Sequence, residues 1–108
     1  MTGADTARIR ELNEQARQSF SDCRVLVTPG VLALDATDAI LLVVQQYSAF
    51  TPDNDPYAEH DFGSFRYAGE TIFWKFDYYD LDLTMHSPDP ADPDVTARVL
   101  TVLLGSEY

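Results

Sequence analysis

The chain has 108 residues, 45% hydrophobic and 12% aromatic, with 18 acidic side chains against seven basic ones and a formal net charge of −11. This composition excludes a disordered chain and fits one domain, 1–108, able to bury a core without staples. The charge disfavours direct nucleic-acid binding, which needs a basic face, and adhesion to anionic membranes.

Residues 5–21 predict an amphipathic helix. Asp5 can cap it, Ile9, Leu12, Ala16 and Phe20 recur at helical spacing, and arginines and glutamates fill the other face. The stretch CRVLVT, 23–28, is short, β-branched and alternating, which predicts a strand. Pro29-Gly30 ends it in a turn. The following VLALD reads equally as a short strand or an irregular lead-in. Asp35 is then expected as the N-cap of a helix over 36–49, with Asp38 in its first turn and Ile40, Val43, Val44 and Tyr47 as its buried stripe.

TPDNDPYAEH, 51–60, is rich in prolines and acids and reads as a loop. DFGSFRY and TIFWKFDYY flank a tight Ala68-Gly69-Glu70 turn, so a hairpin follows. Ile72, Trp74, Phe76 and Tyr78 are expected to face inward, and Thr71, Phe73, Lys75, Asp77 and Tyr79 outward. LDLTMH, 81–86, is expected to add a third strand with Leu81, Leu83 and Met85 inward. Asp92 as N-cap and Pro93 at the first helical position predict a last helix, with Val95, Val99, Leu100, Val102 and Leu103 packed on the sheet and Gly105 as its end. The sum is an α+β fold of order α-β-α-β-β-β-α. A three-stranded antiparallel meander, which the N-terminal strand can extend, packs against three helices.

The charge is unevenly placed. Up to Arg24, four arginines balance four acids; beyond it only Arg66, Lys75 and Arg98 oppose the remaining carboxylates. The acids crowd into two loops, 51–61 and 77–94. Asp53, Asp55, Glu59, Asp61, Asp77, Asp80, Asp89 and Asp92 are therefore the candidate partner-binding residues. Opposite potentials steer encounter, so the expected partner is a basic protein surface.

A second reading is chemical. Glu59, His60, Asp61 and Asp77 could hold a divalent metal, or one carboxylate could orient the imidazole as a base. Against it stands a plain hydrogen-bonded loop, with aspartates on turn amides and His60 tied to a backbone carbonyl. No HExxH, paired-cysteine, EF-hand, GxSxG or phosphate-cradling glycine motif appears, and no motif asks for a cofactor. Cys23 reads as a small core residue. Lys75 is expected to pair with a carboxylate across the sheet, and Arg98 to project from the last helix toward the acidic loop. Outward Phe73, Lys75 and Tyr79 offer a third option, a homodimer through an aromatic sheet face. One cysteine excludes an intrachain disulfide. No apolar run is long enough to cross a bilayer, and the opening MTGADTARIRELNE lacks a signal-peptide pattern. A cytoplasmic protein is expected.

NDPYAEHDFGSF, WKFDYYD, SPDPADPDVTARVLTVLLGSEY, the opening ARIRELNEQAR and the TPG turn resemble the bacterial family named domain of unknown function 3768. The resemblance runs over nearly the whole chain. It implies a small accessory cytoplasmic protein of the kind borne by plasmids and other mobile elements, and it assigns no catalytic residue. Together with the acidity, it raises the expectation of a counter-defence inhibitor, of the anti-CRISPR or antirestriction type. Its carboxylates would stand in for phosphates on a nuclease or CRISPR effector.

Overall fold

The structure, a computed structural model, describes residues 3–108. In chain order it has α1 (Gly3–Ser19), β1 (Arg24–Val27), α2 (Pro29–Leu32), α3 (Thr37–Gln46), β2 (Phe62–Tyr67), β3 (Glu70–Tyr79) and β4 (Ala97–Leu104), then a 3-10 turn over Gly105–Glu107. The fold is α+β: three helices and one four-stranded mixed sheet of order β1-β4-β3-β2. β2, β3 and β4 form an antiparallel meander, and β1 extends it by parallel pairing with β4. No helix among the described residues is long and apolar enough to cross a membrane.

The hairpin follows its local chemistry. Ala68 and Gly69 both have positive φ, 52° and 81°, the geometry of a two-residue turn that matches strand twist. Ile72, Trp74 and Phe76 of β3 are buried on one face with Leu100 and Val102 of β4, against Ala16 of α1, Val31 of α2, and Ile40 and Val44 of α3. Gly63 pairs with Trp74, and a Cβ there would lie 2.4 Å from the indole nitrogen. The glycine makes room for the largest side chain of the core.

Two elements differ from the sequence expectation. The segment after Asp92 is no helix: it becomes β4, the strand between β1 and β3. Val99, Leu100, Val102 and Leu103 are all buried, so both faces of β4 are covered. A strand covered on both faces carries a continuous apolar run, which periodicity cannot tell from a buried helix. Asp92 closes a turn there, its carboxylate accepting from the Asp94 amide at 2.9 Å. Residues 81–86 form no strand because β4 already pairs along β3 from Ile72 to Tyr79. Only the single Tyr79–His86 bridge remains. Leu81 and Met85, expected inward, are 63% and 70% exposed, and Leu83 is exposed too.

Smaller corrections concern 29–49. Pro29-Gly30 opens α2, with Pro29 at the first helical position after Thr28. Asp35 does not cap α3; its φ is 55° and Ala36 holds the N-cap place. α3 ends at Gln46, and Tyr47 is extended. Glu107 fastens the final turn back onto α2: its carboxylate accepts from the Thr28 hydroxyl at 2.6 Å, the Gly30 amide at 3.0 Å and the Leu104 amide at 2.8 Å. These donors hold its pKa below the ordinary value.

Candidate functional site

The acidic loop ahead of β2 lies against α1, which presents a polar pair at helical spacing, Asn13 and Arg17. Both side chains are fully buried. One Arg17 nitrogen donates to the carbonyls of Val44 at 2.8 Å and Gln45 at 3.2 Å in the last turn of α3, where Val44 also accepts from the Tyr47 amide. The other pairs with Glu14. The guanidinium carbon stands 5.1 Å from the Trp74 ring centroid and 5.5 Å from that of Phe50.

Glu14 also reaches the loop. Its Oε1 is 2.9 Å from His60 Nδ1, while His60 Nε2 faces Asp55 at 3.5 Å. Asp55 accepts from the His60 amide at 3.1 Å, and the imidazole stacks on Phe50 with centroids 3.7 Å apart. The expected carbonyl partner of His60 is thus replaced by two carboxylates.

A second chain of bonds runs beside the first. Asn13 donates to the Glu59 carbonyl at 3.0 Å and to the Tyr78 hydroxyl at 2.8 Å, and that hydroxyl donates to the Glu59 carboxylate at 3.0 Å. Burial, then the nearby Glu59 charge, pushes the phenol far above its ordinary pKa. Arg98 donates to Asn13 Oδ1 at 2.9 Å and to the Pro90 carbonyl, and lies over the Tyr78 ring. It sits on β4 and points into the fold instead of projecting from a helix. Burial lowers its pKa.

The remaining acids take separate partners. Asp61 is half-buried and its pKa is raised, first by burial and then by Glu59. Asp77 pairs with Lys75 at 2.7 Å on the same strand, where a cross-sheet partner had been expected. Asp80 accepts from the Thr84 amide at 3.0 Å and from its hydroxyl at 3.2 Å, and these bonds lower its pKa. Asp89 accepts from the Ala91 amide at 3.1 Å. Asp53 is exposed. Of the proposed metal set, Glu59 therefore turns to Tyr78, His60 to Glu14 and Asp55, and Asp77 to Lys75. Among the described residues no three His, Cys, Asp or Glu side chains are grouped to hold a metal ion.

What the fold does bring together is the two acidic loops. The Phe76 amide donates to the Asp61 carbonyl at 2.8 Å and the Ser87 amide to the Tyr78 carbonyl at 3.0 Å, so both loops flank the end of β3. Asp61, Asp77, Tyr79 and His86 line one open concavity there. Sequence reasoning missed Asn13, Glu14, Arg17 and Tyr78 as partners of this loop. The signal was present: Asn13 and Arg17 fall on the same helical stripe as Ile9 and Ala16.

Residues 27–107 match the family described as protein of unknown function (DUF3768), and the chain belongs to that family. No curated protein and no solved structure matches the chain.

Proposed function

We propose that this DUF3768 protein is a non-enzymatic cytoplasmic interaction protein that docks its acidic end on a basic surface of a partner protein. The loop 80–86 carries the reading. Asp80 fastens it from within: its side chain holds the Thr84 amide, its carbonyl accepts from Leu83, and its amide donates to Met85. Leu83 is held at φ 61°, a strained conformation for a branched residue. The result is a preorganised turn with Leu81, Leu83 and Met85 in water and Asp80 and Asp82 beside them. Apolar anchors rimmed by acids suit an apolar pocket rimmed by lysine and arginine.

The partner class is a nucleic-acid-binding protein, a nuclease or CRISPR effector whose phosphate groove the exposed carboxylates of Asp53, Asp82 and Asp89 occupy. In this reading the protein is a counter-defence inhibitor serving a mobile element.

The test is capture at low salt from host cells, followed by calorimetry with the purified captured protein. Affinity is expected to fall steeply with added salt, and again for the Leu81→Ser/Met85→Ser and Asp53→Asn/Asp82→Asn/Asp89→Asn variants. Affinity indifferent to salt, or unchanged in both variants, overturns the reading.

A further inference from the structure

A concavity of about 530 Å³ opens between α1 and the segment leading into β4. That volume falls within the range of small-molecule sites, about 300–1,000 Å³. Arg8 and Arg98 line it together with Asp22 and Asp94, and Leu12 and Ala16 add apolar surface. Two of the seven cations of a strongly acidic chain thus share one space.

Arg98 is the informative member. It is 4% exposed, and its bonds go to uncharged oxygens of Asn13 and Pro90. Among the described residues no carboxylate lies within 4.0 Å of its guanidinium. Buried charges are ordinarily paired, and an unpaired one is costly. The nearby Arg8 charge adds repulsion. Arg8 itself is held by Glu11 at 2.7 Å in an exposed pair along the helix, a contact that a ligand readily displaces. Arg98 therefore lacks an anion that the cavity has room to admit, and Arg8 can exchange its exposed Glu11 partner for the same one. Asp22 and Asp94 on the same lining oppose a dianion and favour a ligand that also carries a positive group.

We propose that this cavity binds a small zwitterion of the α-amino-acid class, its carboxylate on Arg98 and Arg8 and its ammonium group toward Asp22 and Asp94. An aliphatic side chain fits beside Leu12 and Ala16. The site is separate from the loop 80–86 surface, so either proposal can stand without the other.

Heteronuclear NMR titration of the whole chain tests it, with L-leucine, 4-methylpentanoate, isoamylamine and inorganic phosphate as probes. L-leucine is expected to give saturable shifts at Leu12, Ala16 and the Arg98 side-chain Nε. Each half-molecule should bind about tenfold more weakly. Arg8→Gln should weaken leucine and 4-methylpentanoate alike. Asp22→Asn should weaken leucine and leave 4-methylpentanoate unaffected or tighter. Both residues are exposed, so the variants keep the fold. Absence of saturable shifts with leucine, equal binding of phosphate or isoamylamine, or indifference to both substitutions sinks the proposal.

Discussion

Gly63 and Trp74 meet at a distance that no side chain tolerates. Gly63→Ala should destabilise the protein by about 1–3 kcal/mol, because the indole is walled in and has nowhere to shift. Urea unfolding followed by Trp74 fluorescence measures this directly. Asp61 makes an opposite case. Its folded pKa lies above the ordinary value of 3.8, mainly from burial. The folded state therefore holds its proton more tightly, and ionisation of Asp61 costs stability at neutral pH. Acidification through the raised pKa relieves that cost. Asp61→Asn should raise Tm at pH 7, and the gain should vanish near and below pH 3.8; an equal gain at both pH values contradicts the burial argument. Asp80 has the contrary sign. Its pKa is lowered by the Thr84 and Met85 amides, so its contribution is present above the ordinary value and is lost as pH falls through the lowered one.

The contact between α1 and the acidic loop depends on Glu14, which serves Arg17 and His60 at once. Glu14→Gln leaves a buried guanidinium without its anion and should cost about 1–3 kcal/mol. Hydrogen exchange should show faster opening of residues 55–61, with β3 still protected; uniform acceleration everywhere would mean a global effect instead. Helix α1, strand β1, helix α3 and the β2–β3 hairpin were legible because each has one buried face, and one face writes a period into the sequence. Strand β4 was not, because Val99 through Leu103 are covered on both sides and the run loses its alternation. The capping signal at Asp92-Pro93 then pointed to a helix, though the same residues serve a turn equally well. LDLTMH failed for the converse reason. Its Leu-Asp-Leu alternation is that of a strand, but the β3 edge it needed is occupied from 97 onward. Pairing of that kind is decided by competition between distant segments, and no local pattern records the winner. The acidic loop itself was readable as a loop, while its partners on α1 lie more than 40 positions earlier.

Across the whole molecule, a net charge of −11 on a chain only 39 × 31 × 23 Å in extent implies self-repulsion. Added salt should raise Tm, with most of the change complete by about 0.1–0.2 M, where the screening length falls to roughly 8–10 Å. Calorimetry in sodium chloride checks the sign, and a falling Tm would show that the internal ion pairs outweigh the surface repulsion. The order of assembly has its own consequence. Strand β4 sits between β1 and β3, yet a ribosome makes it after both. Until residues 97–104 emerge, the nascent polypeptide carries a lone N-terminal strand and a finished hairpin with no seam to join them, each offering unsatisfied edge amides to neighbouring chains. A translation stop anywhere between Tyr79 and Ala97 should therefore yield insoluble material instead of a smaller working domain.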